Sequence, residues 1–167
     1  MKSKKALSGI IGTMLLVGLA IVLIGIVWGV INNIVGDQIN SAESCFNNYG
    51  KVNIIDKYTC YNSTGPKLQF SIEIKDIDVD QVVISIAGQG STKSLTISNA
   101  SGIVSGVTSY SSGSSVINLP GRNSGLTYVY DLTTGGFTSS PDSITISPVI
   151  NGEQCEVSDS LNSIENC

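Results

Sequence analysis

Hydrophobic residues are concentrated near the start of the chain and give way to an alternating pattern further on. From Leu7 to Gly36 no side chain carries a charge, and the run reads LSGIIGTMLLVGLAIVLIGIVWGVINNIVG. At about 1.5 Å per residue, a helix over this run is ~45 Å long, more than the ~30 Å hydrocarbon core of a bilayer. The pattern therefore predicts a membrane-spanning helix over residues 7–36.

Beyond a polar exit at residues 37–44 (DQINSAES), predicted to be a short stalk, apolar and polar residues alternate. Alternation with a period of two residues indicates strands that bury one face. It occurs in five segments, at Phe70–Lys75, Val82–Ile86, Ser94–Ser98, Leu126–Leu132 and Ser143–Ile150. Turn residues such as Asn151-Gly152 separate the segments. The run Ser98–Ser115 is predicted to be a surface loop with a weak edge strand.

Strands of this length and spacing are typical of an antiparallel β-sandwich, immunoglobulin-like or jelly-roll-like in topology. We expect that unit to occupy residues 45–167. The predicted fold class is α+β, a long hydrophobic helix followed by one globular β unit, and 167 residues suffice for both.

Charge separates the two parts in the same way. Lys2, Lys4 and Lys5 precede the apolar run, and the next ionisable side chain is Asp37. The basic start is expected to stay on the cytoplasmic side. The rest of the chain has a formal net charge of −7. Since an acidic surface repels nucleic acid, no DNA or RNA partner is expected.

All four cysteines, Cys45, Cys60, Cys155 and Cys167, follow the hydrophobic run. An even number on the exported side predicts disulfides formed outside the cytoplasm. Of three possible pairings we favour Cys45 with Cys60 and Cys155 with Cys167, which close short local loops; crossed pairings remain open. A zinc site is the competing interpretation, but the chain has neither C-x-x-C spacing nor histidine, so no metal is expected.

Glycines recur at a helical spacing within the apolar run. Gly18, Gly25, Gly29 and Gly36 are separated by seven, four and seven residues, which keeps them within about 40° of one face of a helix. Gly25 and Gly29 form a GxxxG pair, a spacing that lets two helix backbones approach closely in an apolar medium. Glycine is also common in membrane helices in general. We favour a helix-packing face.

The junction before the apolar run has a specific resemblance. Lys4, Lys5 and Ala6 precede LSGIIGTMLLVGLAIVL. This arrangement resembles the class III signal peptide of archaeal type IV pilins and archaellins, which a membrane prepilin peptidase cuts after a basic pair and a small residue. The resemblance implies a signal peptide at residues 1–6, cleavage between Ala6 and Leu7, and Gly9 within the recognition segment. The bacterial branch has glutamate at the fifth mature residue; Ile11 stands there and favours the archaeal branch.

That family implies a structural function. The helix would hold the precursor in the cytoplasmic membrane and then, with the pilus assembly machinery, pack with copies of itself as the core of an extracellular filament used for adhesion or motility. An adhesive pilus is favoured over an archaellum, because Gly9–Thr13 (GIIGT) only approximates the archaellin start. The alternative is a surface binding module on a simple signal anchor.

No catalytic constellation is evident. Without histidine no Ser-His or Cys-His pair exists, and neither enzymatic activity nor a cofactor is expected. Asp76, Asp78 and Asp80 alternate, but Gln81 and Ala87 stand where a calcium-binding EF-hand loop needs glycine and glutamate. A solvated strand face or turn is the better interpretation of these acids, with calcium as the alternative.

Two N-glycosylation sequons lie in the exported part. They are Asn62-Ser63-Thr64 and Asn99-Ala100-Ser101, each in a segment expected to be exposed. Such tripeptides also arise by chance. On an exported domain, glycans at Asn62 or Asn99 would protect the surface.

Overall fold

The protein comprises two compact units, Met1–Ala42 and Glu43–Cys167. The structure, a computed structural model, describes residues 4–46 and 48–167; within the helix it describes side-chain surroundings for residues 11–32, 34–35 and 45–46. An apolar helix is followed by mostly antiparallel β-sheets. The predicted α+β class is confirmed at this level.

Helix α1 spans Lys4–Phe46, 43 residues. It contains the predicted helix over residues 7–36 and continues through residues 37–44. The segment predicted to be a polar stalk is thus the last part of the same helix. The physical reason is that DQINSAES contains neither proline nor glycine, so nothing in it interrupts the backbone hydrogen bonds that begin in the apolar run.

Among its described residues, the β unit contains thirteen strands and a short 3-10 helix at Asp56–Tyr58. All five segments predicted from alternation are strands. In chain order the strands are β1 (Val52–Ile54), β2 (Cys60–Asn62), β3 (Lys67–Ile74), β4 (Gln81–Gly88), β5 (Ser91–Ser98), β6 (Gly102–Ile103), β7 (Val107–Ser109), β8 (Val116–Ile117), β9 (Ser124–Asp131), β10 (Ser143–Ile150), β11 (Glu153–Gln154), β12 (Asp159–Leu161) and β13 (Glu165–Asn166).

These strands form three sheets. A six-stranded sheet has the order β13-β2-β3-β9-β7, with β1 also paired to β3. A five-stranded sheet has the order β11-β10-β4-β5, with β12 also paired to β10. β6 and β8 form a separate two-stranded ribbon. Every pairing is antiparallel except that of β13 with β2, which is parallel.

Alternation along the strands supplies the core. In β4 every second residue from Val82 to Ile86 is fully buried, and β10 repeats the pattern at Ile144 and Ile146. In the six-stranded sheet, Phe70 and Tyr128 lie opposite each other with ring centroids 5.4 Å apart. The buried side chains of both large sheets belong to one hydrophobic cluster, so the two sheets depend on each other for stability.

Two smaller predictions are also confirmed. Asn151 and Gly152 have φ of 55° and 79° and connect β10 to β11, as expected for a two-residue hairpin turn that requires positive φ. The run Ser98–Ser115 contains the short strands β6 and β7, and β7 forms an edge of the six-stranded sheet. It is therefore a loop region with a weak edge strand.

Candidate functional site: the apolar helix and its covalent junction

The apolar part of α1 is exposed on every side. Every side chain that the structure describes between Ile11 and Val35 is exposed, and among the large apolar ones the exposed fraction ranges from 44% at Val35 to 74% at Met14. Ile21–Ile24 alone cover the whole circumference, because successive residues are about 100° apart. Among the described residues, one segment of 22 residues, Ile11–Asn32, is long and apolar enough to cross a membrane.

The glycines of this helix have open space around them. A Cβ atom built on Gly18, Gly25 or Gly29 would meet no other heavy atom within 4 Å outside its own helix backbone and chain neighbours. Gly36 lies in α1, but its surroundings fall outside the described residues. Substitutions at these three glycines therefore meet no steric obstacle among the described residues, so a steric effect of a larger side chain there would come from contacts with other molecules.

The predicted processing junction lies at the start of α1. Lys4, Lys5, Ala6, Leu7 and Gly9 are helical in backbone, and their side-chain surroundings lie outside the described residues. Peptidase recognition therefore stays a prediction from the sequence.

The last residues of α1 belong to the second compact unit, and a disulfide within that unit holds them. Cys45 is bonded to Cys155, with Cα atoms 5.3 Å apart, and Cys60 is bonded to Cys167, with Cα atoms 5.0 Å apart. Both separations are within the usual range for a disulfide. All four cysteines lie in the described part of the chain and are bonded in these two pairs, so none of them remains a thiolate for zinc.

The favoured local pairing, Cys45 with Cys60 and Cys155 with Cys167, is wrong. Cys155 and Cys167 are separated by the sheet arrangement, since Cys155 follows β11 of the five-stranded sheet whereas Cys167 follows β13 of the six-stranded sheet. β13 lies parallel to β2 with Glu165 opposite Cys60, and the backbone N–H of Cys167 donates to the carbonyl oxygen of Tyr61 at 2.9 Å. The pairing of β13 with β2 thus brings Cys167 next to Cys60.

The three alternating aspartates are all exposed and lie between β3 and β4, as expected for a solvated turn. Asp78 accepts hydrogen bonds from the Arg122 guanidinium, one of them from Nε at 2.6 Å, and these bonds lower the pKa of the Asp78 carboxyl. Asp76 lies 3.8 Å from Arg122, and the Asp80 carboxylate accepts from the backbone N–H of Gly152 at 3.0 Å. Among the described residues no group of three or more acidic, Cys or His side chains is placed to hold a metal ion.

Both sequon asparagines are exposed. Asn62 is the last residue of β2, and its side-chain oxygen accepts a hydrogen bond from the backbone N–H of Thr64 at 3.0 Å. Asn99 follows β5 and donates its backbone N–H to the carbonyl oxygen of Asp80 at 2.8 Å. Solvent access permits modification at either position, and whether it occurs stays a prediction.

Two interactions were not predicted from the sequence, the Arg122–Asp78 ion pair and the hydrogen bond of the buried Tyr128. The Tyr128 hydroxyl donates to the carbonyl oxygen of Asn118 at 2.7 Å, and burial raises the pKa of Tyr128 well above its ordinary value. The ion pair had one sequence signal, because Arg122 is the single arginine of the chain, but that does not identify its partner.

Comparison with protein families, with curated proteins and with solved structures finds no significant match to this chain. The functional assignment therefore depends on the residues and their arrangement.

Proposed function

We propose that this protein is the structural subunit of an extracellular, archaeal type IV pilus-like filament, assembled by packing of α1. The observation that carries the proposal is a helix that is apolar around its whole circumference between Ile11 and Asn32 and is followed by a disulfide-closed β unit. Such a helix requires a covering of lipid or of other helices.

The length of the helix suits both environments in turn. Its 22-residue apolar segment extends about 33 Å at 1.5 Å per residue, enough for a ~30 Å hydrocarbon core. The precursor is therefore inserted in the cytoplasmic membrane. In the filament, copies of the same helix replace the lipid.

The glycine positions support contact between helices. Gly18, Gly25 and Gly29 lie within about 40° of one side of α1, the glycine side, and among the described residues no heavy atom beyond the local backbone comes within 4 Å of a Cβ built on any of them. Helices that associate in an apolar medium gain stability from close backbone approach rather than from exclusion of water. A neighbouring subunit's helix is the occupant that we propose for this side.

The basic junction supports processing by a prepilin peptidase. Cleavage after Ala6 removes Lys2, Lys4 and Lys5, so the mature chain begins with the apolar helix itself. That step makes it easier for the subunit to leave the bilayer, because only the new α-amino group of Leu7, instead of three lysines, then holds the N-terminus at the cytoplasmic surface. Prepilin peptidase and the pilus assembly machinery are the implied partners.

The β unit is proposed to face the exterior. Both disulfides form and persist in an oxidising compartment, and Asn62 and Asn99 are exposed for glycosylation. We further propose that the two large sheets pack face to face as a β-sandwich; their shared hydrophobic cluster supports this arrangement. Surface adhesion is the favoured use of the filament, with motility as an archaellum the second possibility.

Electron microscopy of material sheared from cells tests the proposal. A filament subunit gives a sheared, detergent-resistant polymer whose only major protein is this chain. If the protein is instead recovered solely by detergent as a monomer, the proposal fails in favour of a membrane-anchored binding module.

A further inference from the structure

One region of the β unit carries no charge. Residues 94–121, 28 residues in all, contain no Asp, Glu, Lys or Arg, whereas the next longest uncharged stretch of the unit covers only residues 81–92. Glu43–Cys167 as a whole has twelve acidic and six basic side chains, a formal net charge of −6. Two copies of the unit therefore repel each other over most of their surfaces, and least where residues 94–121 face each other.

This uncharged region exposes an aliphatic pair. Ile103 of β6 and Val116 of β8 are direct cross-strand partners and are 74% and 52% exposed. Side chains at directly opposed positions lie close together on one face of a ribbon. Ile117, the next residue along β8, is 4% exposed and belongs to the core. Alternation in the ribbon thus directs Ile117 inward and leaves Ile103 and Val116 outward.

A groove lies beside the exposed pair. It has a volume of about 280 Å³, and its apolar wall is formed by Ile103, Val104, Val107 and Val129. Lys67 and Asp131 also line the groove and supply charged groups of opposite sign. The pair and the groove, which share Ile103, are here called the ribbon face. An apolar centre with a polar rim is the usual anatomy of a protein interface.

We infer that the ribbon face binds the ribbon face of a second copy of this chain through a two-fold contact. The same patch offers an exposed apolar pair and an adjacent groove, which together can form a self-complementary contact. Subunits within one helical filament meet through two different patches, whereas a two-fold contact uses the same patch twice. The contact therefore joins subunits of neighbouring filaments and bundles the filaments side by side. The inference rests on the proposed function.

Bundling of purified filaments tests this contact. Bundles sediment at low speed and single filaments only at high speed. Wild-type filaments are expected to move into the low-speed pellet as salt rises, because salt screens the acidic surfaces and leaves the apolar contact intact. Filaments of Ile103→Glu or Val116→Glu are expected to form normally and to lose the low-speed pellet at every salt concentration.

Two controls assign the effect to the ribbon face. Val157 is 47% exposed and lies outside residues 94–121, so Val157→Glu makes the same change in charge elsewhere and is expected to bundle at higher salt, as wild type does. Filaments of Ile103→Lys and of Ile103→Glu are each expected to stay single, but to bundle when they are mixed. Recovery of bundling in the mixture would show that the same patch lies on both sides of the contact.

Several results would overturn the inference. Wild-type filaments that stay single at all salt concentrations, or Ile103→Glu filaments that bundle like wild type, exclude the contact. Loss of the filaments themselves in Ile103→Glu, with Val157→Glu assembling normally, would place the face inside the filament and contradict a two-fold contact. If wild type gives no filaments, the proposed function fails. The contact between two ribbon faces is then tested by sedimentation of the full chain in detergent. Equal dimerisation of wild type and Ile103→Glu would exclude that contact.

Discussion

Cys45, one residue before the end of α1, is bonded to Cys155, which lies 110 residues further along the chain. The backbone N–H of Cys155 donates to the carbonyl oxygen of Pro148 in β10 at 2.9 Å. The helix end is thus linked covalently to the five-stranded sheet, in addition to its peptide connection to β1. β1 has three residues and pairs with β3, so the helix end has two covalent connections to the sheets, the peptide chain and the disulfide.

Proteolysis at the junction tests this double attachment. Phe46 and Tyr49 are 85% and 75% exposed, and both lie between Cys45 and β1. Limited chymotrypsin cleavage after either residue is expected to leave the helix and the β unit joined on a non-reducing gel and to separate them on a reducing gel. The double variant Cys45→Ser, Cys155→Ser is the control and should separate without reductant. Separation of the oxidised wild type without reductant would contradict the bond.

The second disulfide is expected to contribute strongly to stability. Cys60 and Cys167 are 107 residues apart, and the loop-entropy estimate for closing ~100 residues is about 4.7 kcal/mol. Because both disulfides restrict much of the same chain, their effects should not add fully. We expect Cys60→Ser, Cys167→Ser to lower the free energy of unfolding by about 2–4 kcal/mol in urea titrations. An unchanged midpoint would refute the stability contribution, and peptide mapping that links Cys155 to Cys167 would refute the pairing.

The Asp78–Arg122 pair predicts an acid dependence. Arg122 lowers the pKa of the Asp78 carboxyl, so the folded state holds the carboxylate more favourably than the unfolded state. That contribution is present above the ordinary Asp pKa of about 3.9 and is lost as pH falls through the lowered folded value. Asp78→Asn should therefore reduce the loss of thermal stability below about pH 4, and only slightly, because the pair is exposed.

Asp76→Asn is the matched control for that experiment, since the Asp76 carboxylate is 3.8 Å from Arg122. Asp76→Asn should change the acid dependence of thermal stability less than Asp78→Asn does. Identical acid profiles for Asp78→Asn and wild type would show that the pair has no role in stability.

The glycine side of α1 gives a prediction on assembly. Gly25→Leu and Gly29→Leu are expected to insert normally, because leucine suits the bilayer as well as glycine does, but to push neighbouring helices apart. Processed subunits should accumulate in the membrane and sheared filaments should be lost, as measured by fractionation and immunoblotting.

Ile24→Leu is the control for the glycine variants. Ile24 lies about 120° from the centre of the glycine side, and the change is nearly isosteric. It should assemble like wild type. Normal filaments from both Gly25→Leu and Gly29→Leu would show that the glycine side is not the packing face.

Features that depend on local sequence could be predicted from the chain. Phe70, Ile72 and Ile74 alternate with polar residues, and this pattern alone places β3 with the correct buried face. The membrane-spanning part of α1 could be predicted because no side chain between Leu7 and Gly36 carries a charge. Asn151-Gly152 gives its turn because few other dipeptides accept two positive φ values. In each case the cause lies within a few residues of the effect.

Features that depend on the order of strands could not be predicted. Cys167 meets Cys60 only because β13 lies parallel to β2, and Arg122 meets Asp78 across 44 residues of sequence. Short loops favoured the local cysteine pairing on entropic grounds, but sheet pairing placed the partners elsewhere. The ribbon face was missed for the same reason, because Ile103 and Val116 become neighbours only when β6 pairs with β8.

The N-terminal sequence of protein sheared from the cell surface tests the central claim most directly. A pilin-like subunit is cleaved between Ala6 and Leu7 before assembly, so sheared filaments should begin LSGIIG, and Lys5→Glu should leave uncleaved precursor in the membrane. Filaments whose subunits begin at Met1 would contradict the account, because the helix would then reach the filament core with Lys2, Lys4 and Lys5 still attached.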